Sequence, residues 1–210
     1  VQQALLKNLA EAEAALTVQA HINRDLQQGL MSTRMVPFAS ISERLYRIVR
    51  QTGKELGKRA NLELSGTEVE LDRSVLEKMT APFEHLLRNA IAHGLETPEK
   101  RTLANKEPIG EIRLSLRQES NEVVFDFSDD GAGLDIARVR QKAIESGMLQ
   151  EREVISEEQL IQLIFTPGLS TAEEVTEISG RGVGLDVVRS EISALGGRVD
   201  VFTDSGLGMR

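Results

Sequence analysis

The sequence contains no cysteine and no tryptophan, and aromatic residues make up only 3% of its 210 residues. Without cysteine the chain has no disulfide framework and no thiolate to act as a nucleophile or a metal ligand. Because aromatic residues are scarce, aliphatic side chains must fill the core, and a hydrophobic content of 40% is enough for one. The absence of cysteine suits a reducing compartment, so we expect a cytoplasmic protein.

Long apolar runs and an excess of basic residues are also missing. No stretch approaches the roughly 18 apolar residues of a transmembrane helix, and the first residues lack the basic start and apolar middle of a signal peptide. The formal net charge of −8 argues against a broad basic face, so we expect no nucleic-acid partner. The chain opens in a helical pattern at Val1 with no capping residue, so we expect a piece of a longer protein.

An apolar seam with alternating spacings of four and three residues runs through the first part of the chain. Its members are Leu5, Leu9, Ala12, Leu16, Gln19, Asn23, Leu26 and Leu30. The seam predicts a long helix within residues 1–34. Gly29 and the run MSTRMVP, which ends at Pro37, interrupt the pattern and predict a hinge after that helix. One helix cannot bury such a seam alone, so we interpret it as part of a dimerisation domain. The alternative is a helix that lies on its own domain.

Helices are predicted on both sides of a short strand over residues 60–64. One helix covers residues 38–58. A second begins after the N-cap Asp72, and a third runs from Pro82, in its first turn, to a left-handed stop at Gly94.

A hairpin is predicted next, with alternating strands over residues 112–116 and 123–127. Asp135 caps the helix that follows, Ser156 opens another with a capping box, and a last helix leads into a strand over residues 198–203. Together these elements predict an α/β (α+β) two-layer sandwich. Helices cover one face of a mixed, largely antiparallel sheet, and a long helix precedes it.

Three stretches carry residues suited to an anionic nucleotide. Residues 85–94 (HLLRNAIAHG) place two histidines and an asparagine four residues apart, on one polar stripe of a helix. Residues 129–133 (DDGAG) lie at the end of the second hairpin strand. Residues 179–192 (SGRGVGLDVVRSEI) put glycines directly before a helical run, where backbone N–H groups and the helix dipole favour a phosphate. Such a turn also serves simply to reverse the chain.

In this order, RMVP, HLLRNAIAHG, FTPGLST and SGRGVGLDVV resemble the motifs of CheA-like chemotaxis histidine kinases, a group of the GHKL superfamily that includes hybrid kinases of twitching-motility systems. The resemblance covers the whole chain. It implies the GHKL (Bergerat) ATP-binding fold for residues 35–210 and part of the dimerisation domain for residues 1–34. It also implies ATP and Mg²⁺ as cofactors, and it fits a lid formed by the Gly-, Ser- and Thr-rich residues 166–182.

The resemblance implies roles for individual residues. Asp129 is expected to accept a hydrogen bond from the adenine amino group, while Gly131 and Gly133 let the backbone approach the base. Asn89 is expected to offer its amide oxygen to Mg²⁺. His85 is the second catalytic candidate, either positioning the γ-phosphate or accepting a proton. Further nucleotide contacts are expected from His93, Ser170, Thr171, Gly180, Arg181, Gly182, Val183, Gly184 and Leu185.

The implied function is Mg-ATP-dependent transfer of the γ-phosphoryl group to a histidine on a separate phosphotransfer domain, in two-component signalling for chemotaxis or twitching motility. The implied partners are that domain, a downstream response regulator, a coupling protein with its chemoreceptors, and a second copy in a homodimer. His21, in the N-terminal helix, is not our candidate for the phosphorylated residue. The acidic residue that usually follows such a histidine is missing.

Other functions fit the sequence to different degrees. A nucleotide-binding regulatory module without phosphotransfer activity remains the alternative. A dinucleotide-binding oxidoreductase is disfavoured, because Leu185 stands where the third glycine of GxGxxG is required. ATPases of the gyrase and MutL types usually carry Glu at the position of His85. Ala92 and Met209 depart from the family pattern, in which Asp and Thr are common. The resemblance also implies a further strand after Met209, so we expect the C-terminal part of the sheet to be truncated.

Overall fold

The computed structural model of the chain describes residues 18, 19, 22, 34–167, 169 and 185–210. The first three of these are helical. The rest of the predicted N-terminal helix, with its apolar seam and His21, lies outside the described residues, as does most of the predicted lid. In the described part of the chain, no helix is both long enough and apolar enough to cross a membrane.

From residue 35 onward, the described residues form seven strands and six α-helices. They are β1 Met35–Pro37, α1 Ser42–Glu55, β2 Ala60–Ser65, β3 Glu70–Asp72, α2 Arg73–Asn89, α3 Pro98–Leu103, β4 Gly110–Glu119, β5 Glu122–Asp129, α4 Ile136–Glu145, α5 Glu157–Leu163, α6 Leu185–Ala194, β6 Thr203–Asp204 and β7 Gly208–Met209. A 3-10 turn, Phe38–Ile41, precedes α1, and a π-helical turn, Ala90–Gly94, continues α2.

Five strands form the main sheet in the order β2-β4-β5-β7-β6. Strands β2 and β4 are parallel, and the other neighbours are antiparallel. The β4–β5 hairpin turns through a two-residue loop, in which Ser120 has a positive φ of 53°. The predicted mixed, largely antiparallel sheet is therefore confirmed.

Among the described residues, helices cover one face of the sheet. Along β4, Ile112, Leu114 and Leu116 are buried, whereas Arg113 and Arg117 lie exposed on the opposite face and form ion pairs there. The buried face packs on α1 and α2 in a core made of Phe38, Leu45, Val49, Leu62, Leu71, Leu76, Met79, Phe83, Leu87, Ala90, Ile91, Leu95, Ile112, Leu114 and Leu116. Because buried and exposed side chains alternate along β4, one face of the sheet packs on helices and the other is exposed, which gives the predicted two-layer arrangement.

A second core lies under α4 and α5. It is formed by Val139, Ala143, Leu149, Ile161, Ile164, Phe165 and Leu169, and Leu185 at the start of α6 packs against it. The predicted caps of both helices are present. Asp135 accepts from the N–H of Arg138, and Ser156 and Gln159 form a capping box.

The prediction of two helices between Asp72 and Gly94 is wrong. Asp72 caps a helix, as expected, but that helix runs through Pro82 without interruption. Proline removes one backbone hydrogen bond, yet Pro82 is itself buried, and Met79, Phe83 and Leu87 around it lie in the core. This packing holds the helix together. Gly94 is not a left-handed stop, because the chain leaves the helix through the π-helical turn.

Two further predictions need correction. Residues 35–37 are not part of a hinge, because Val36 pairs with Leu71 in a small antiparallel sheet of β1 and β3. The strand expected over residues 198–203 is reduced to Thr203–Asp204. Gly208–Met209 forms a short strand that pairs with β5.

Candidate functional site

Asp129 lies at the end of β5 with one carboxylate oxygen bonded and the other not. Its side chain is 7% exposed. The Oδ1 atom accepts a hydrogen bond from the Gly131 N–H at 2.9 Å, and Oδ2 is buried with no hydrogen-bond partner among the described residues. Buried polar atoms are nearly always hydrogen-bonded in folded proteins. An orphaned acceptor at the end of a strand therefore marks a binding position.

Burial raises the pKa of Asp129 above its ordinary value. The negative charges of Asp130 and Glu96 act in the same direction, and the backbone N–H groups of Gly131 and Met209 act against it. Burial therefore outweighs the stabilisation of the carboxylate by the N–H groups of Gly131 and Met209, and by geometry no hydrogen bond from the described residues reaches Oδ2. A ligand that donates a hydrogen bond to Oδ2 would stabilise the carboxylate further.

The glycines of the DDGAG turn are required by the packing of the protein itself. A Cβ on Gly131 would lie 2.2 Å from the Gly94 carbonyl oxygen, and the N–H of Ala132 donates to that oxygen at 2.9 Å. Gly133 has a φ of +75°, and a Cβ there would lie 2.5 Å from the carbonyl oxygen of Asp204. The structure gives both glycines a reason other than approach to a base. They let the turn fit between the π-helical turn and the last hairpin.

The last hairpin completes the support of this turn. The N–H of Leu134 donates to Oγ1 of Thr203 at 2.8 Å, and the N–H of Gly206 donates to the carbonyl oxygen of Ala132 at 2.8 Å. These two contacts hold residues 132–134 from the side opposite to the π-helical turn.

The polar stripe of α2 is formed as predicted at its first two members. The Nδ2 atom of Asn89 lies 2.9 Å from Nε2 of His85, so neutral His85, with its proton on Nδ1, accepts the hydrogen bond. Burial lowers the pKa of His85, and the charges of Arg88 and His93 lower it further, whereas Asp186 raises it. His85 is therefore neutral near pH 7, and the amide oxygen of Asn89 is left for another partner.

His93, the third member of the stripe, follows in the π-helical turn and is exposed. Its surroundings lower its pKa by desolvation, and the positive charges of Lys58, Arg138 and Lys142 add to this. Arg138 and Lys142 were not predicted from the sequence as charges near the site. The available signal was their spacing of four residues in the helix directly after DDGAG, which places both on one face. These charges make the region around His93 attractive to an anion.

Lys58 holds the end of the π-helical turn and was also missed. Its Nζ donates to three backbone carbonyl oxygens, those of Ile91 at 2.8 Å, Ala92 at 2.7 Å and Leu95 at 2.8 Å. The last carbonyls of a helix have no partner within the helix. The lysine replaces the glycine cap that we expected at Gly94.

A cluster of charged side chains lies behind the DDGAG turn. Arg101 is 1% exposed and donates to Asp130 Oδ2 at 2.7 Å and to Glu96 Oε2 at 3.1 Å. Lys106 donates to Glu96 Oε1 at 2.9 Å. The second aspartate of DDGAG, which is half-exposed, thus forms an ion pair with the buried Arg101, and its neighbour Asp129 is left for the site.

Arg88, the other cation considered on α2, is not directed at this site. It forms an ion pair with Glu84 at 3.4 Å, and Glu84 also pairs with Arg44 of α1. Glu84 therefore links α2 to α1, and Arg88 pairs with it from within α2.

The glycine turn and the lid residues lie almost entirely outside the described residues. These are Ser170, Thr171, Gly180, Arg181, Gly182, Val183 and Gly184. Leu185 is the first residue of α6, as predicted, and is half-buried. The charge of Asp186 acts on His85, so the start of α6 lies beside the polar stripe of α2. The structure thus brings together His85, Asn89, His93, Asp129, Gly131, Gly133 and Leu185.

Comparisons with known proteins show which family this chain resembles. The family model described as histidine kinase-, DNA gyrase B-, and HSP90-like ATPase matches residues 79–210. The chain is 42% identical over 187 residues to chemotaxis protein CheA of Rhizobium meliloti. The aligned region covers 89% of this chain and 25% of that protein. The chain is also 41% identical over 208 residues to chemotaxis protein CheA of Bacillus subtilis, covering 97% and 31% of the two chains. These relatives confirm the predicted resemblance to CheA-like histidine kinases.

A similarity to a solved structure is also found. The histidine kinase AdeS of Acinetobacter baumannii matches with a TM-score of 0.47 at 17% sequence identity, over 92% of this chain and 76% of that one. The chain spans about a quarter to a third of the length of the two CheA relatives. Because the family model matches more than half of the residues, this chain belongs to the histidine kinase-, DNA gyrase B- and HSP90-like ATPase family.

Proposed function

We propose that this chain binds Mg-ATP between the π-helical turn, the DDGAG turn and the start of α6. Within the whole protein it would transfer the γ-phosphoryl group to a histidine of a separate phosphotransfer domain. The observation that carries this proposal is Asp129, whose Oδ2 is buried without a partner among the described residues. The 6-amino group of adenine is a donor of the right kind for that oxygen.

Asn89 would hold Mg²⁺ through its amide oxygen, since its Nδ2 already donates to His85. One neutral protein ligand suits a small, hard ion that keeps several waters and is held mainly by phosphates. Among the described residues no group of three or more His, Asp or Glu side chains could hold a metal by itself. In the proposed complex the phosphates of ATP would supply further ligands of the ion. When bound, the ion would neutralise part of the charge on the phosphates.

We infer that His85 positions Asn89 instead of removing a proton. Its Nε2 is occupied by the hydrogen bond from Asn89, and its lowered pKa keeps it neutral and able to accept that bond. A neutral acceptor fixes which end of the Asn89 amide faces the ion. This role differs from both roles expected from the resemblance, which were to position the γ-phosphate or to accept a proton.

The triphosphate would extend from Asp129 towards the region of His93. The positive charges that lower the pKa of His93 are those of Lys58, Arg138 and Lys142. In the transfer, the bond between the γ-phosphorus and its bridging oxygen breaks and a bond to the acceptor imidazole nitrogen forms. The imidazole proton is released, and ADP leaves. Such a reaction depends on alignment and charge neutralisation more than on covalent work by the protein.

The wider role follows from the relatives, which are named chemotaxis proteins. We propose that the whole protein acts as a homodimer in two-component signalling, with a response regulator downstream and with a coupling protein and chemoreceptors upstream. Residues 35–210 would form the catalytic domain of that protein, and residues 1–34 part of its dimerisation domain.

The test has two stages. Calorimetry of the chain with ATP, with and without Mg²⁺, should show binding that Mg²⁺ strengthens, and Asn89→Ala should lose the gain from Mg²⁺ but keep the metal-free affinity. The chain is then incubated with Mg-ATP labelled at the γ-phosphate and an isolated phosphotransfer domain, and labelled phosphohistidine should form. A chain that binds no ATP overturns the proposal. Binding without transfer, also in the whole protein, would indicate a regulatory module.

A further inference from the structure

We propose that Arg101 and Lys106 are positioning residues for Asp129. By holding the peptide unit between Asp130 and Gly131 from behind, they determine which carboxylate oxygen of Asp129 remains available to a purine amino group. This inference rests on the proposed binding of ATP and adds to it a source of selectivity for the base. Neither residue is expected to touch the nucleotide.

The hold on the turn begins with Lys106, which uses all three of its donors. Its Nζ donates to the carbonyl oxygens of Asp130 at 2.9 Å and of Gly131 at 2.7 Å, and to Glu96 Oε1 at 2.9 Å. Arg101 Nη1 also donates to the Asp130 carbonyl oxygen, at 3.3 Å. Two cations thus fix the direction of one peptide carbonyl.

The same peptide unit carries the donor that fixes Asp129. The Asp130 carbonyl and the Gly131 N–H belong to one planar group, so neither can turn without the other. The Gly131 N–H donates to Asp129 Oδ1 at 2.9 Å. Any rotation that releases Oδ1 would break the hydrogen bonds from Lys106 and Arg101, and Oδ2 therefore remains the oxygen without a partner.

Arg101 and Asp130 are themselves held in place by several hydrogen bonds. Besides its bonds to Asp130 and Glu96, the nearly fully buried guanidinium of Arg101 donates through Nε to the Glu107 carbonyl oxygen at 2.6 Å. Asp130 Oδ1 accepts from the Glu111 N–H at 2.8 Å. Removing the buried Arg101 from this partly buried network would leave its carboxylate partners with unpaired charge. Arg101 variants are expected to unfold, so Lys106, which is 19% exposed, is the residue to test.

The test compares two nucleotides on Lys106→Met and on the matched control Lys100→Met, whose lysine is exposed on the same segment. ATP carries the 6-amino group, and purine riboside triphosphate lacks it. By calorimetry, Lys106→Met should weaken ATP binding about tenfold, the loss of one hydrogen bond to a charged group, and leave the second nucleotide unchanged. Lys106→Arg, which keeps charge and donors, should retain the preference for ATP.

A double-variant cycle identifies the route of the effect. If Lys106 acts through Asp129, then adding Lys106→Met to Asp129→Asn causes no further loss of ATP affinity. Equal losses for both nucleotides, or a further loss in the double variant, would overturn the inference. So would an ATP affinity unchanged in Lys106→Met.

NMR of the nucleotide-free chain separates this inference from the proposed function. In Lys106→Met the Gly131 amide should exchange faster with solvent, since its peptide plane is released, while in Lys100→Met it should not change. An unchanged Gly131 amide in Lys106→Met overturns the inference whether or not ATP binds. A changed amide in a chain that binds no ATP overturns the proposed function alone.

Discussion

Replacing Asp129 by Asn changes one buried atom with almost no change in shape. The Oδ1 of an asparagine would still accept from the Gly131 N–H, as the carboxylate does at 2.9 Å. The other atom, now an NH₂ group, would stand where Oδ2 lies buried without a partner among the described residues. It would then face the adenine amino group donor to donor.

The magnitude follows from the bond that is lost. A hydrogen bond to a charged group contributes about 1.5–3 kcal/mol, so Asp129→Asn should weaken ATP binding by about 10- to 150-fold. The measurement is calorimetry of wild type and variant with Mg-ATP at pH 7. Because the amide repels the donor, the loss should fall towards the upper end. Purine riboside triphosphate, which has no amino group, should bind both proteins alike.

The same change should stabilise the protein without nucleotide. Burial raises the pKa of Asp129, so the folded chain holds this proton more tightly than the unfolded chain does. Ionisation therefore costs stability, and the cost grows as the pH rises from the unfolded pKa of about 4 through the raised folded value. The free energy of unfolding, measured with urea, should become larger for Asp129→Asn relative to the wild type as the pH increases from 4 to 7.

These results would refute the reasoning in different ways. Equal ATP affinity in the two proteins would mean that the base does not contact Asp129. An asparagine variant that is less stable than the wild type at pH 7 would mean that Oδ2 has a partner in solution. In that case the orphaned acceptor, which carries the proposed function, would not exist.

Three further predictions concern the frame of the site. Gly131→Ala should lower the free energy of unfolding, measured with urea, by about 2–3 kcal/mol, since its Cβ would lie 2.2 Å from the Gly94 carbonyl oxygen. The control is Gly147→Ala, whose Cβ would meet open space; it should cost about 1 kcal/mol for its positive φ alone. Lys58→Met should cost about 2 kcal/mol, measured likewise, because three carbonyl oxygens lose their donor. Affinity for Mg-ATP should be constant from pH 8 to about 6.5 and fall only below the ordinary histidine pKa. The reason is that His85, whose pKa is lowered, accepts the hydrogen bond from Asn89 until it is protonated. In His85→Gln the affinity should not fall at acid pH.

Sequence reasoning succeeded where one local pattern decides the structure. The alternation of Ile112, Leu114 and Leu116 predicted a half-buried strand, and the caps at Asp135 and Ser156 predicted two helix starts, all of which are present. The four-residue spacing of His85 and Asn89 predicted neighbours on one helix face, and they are hydrogen-bonded. Each of these features depends on residues that are close in the sequence.

The failures involve partners that are distant in the sequence. Pro82 indicated a helix start because the sequence does not show the tertiary packing that compensates for its missing backbone hydrogen bond. Gly94 indicated a left-handed stop because nothing in the sequence shows that Lys58, 33 to 37 residues away from its three acceptors, takes over the cap. The pairing of Arg101 with Asp130 spans 29 residues and has no local pattern. Cations and backbone groups that hold a site from behind are therefore hard to predict from one sequence.

The contacts between the DDGAG turn and the last hairpin also constrain the order in which the protein can be assembled. Leu134 and Thr203, which are joined by a hydrogen bond, lie 69 residues apart in the sequence. Contacts between distant residues form late, because a long loop must close before they stabilise anything. During synthesis α2 and the β4–β5 hairpin can pack while the turn beside Asp129 still lacks one of its two supports. Competence to bind a nucleotide should therefore arise only after residues 203–209 have been made, so a nascent chain would present a folded core before it presents a working pocket.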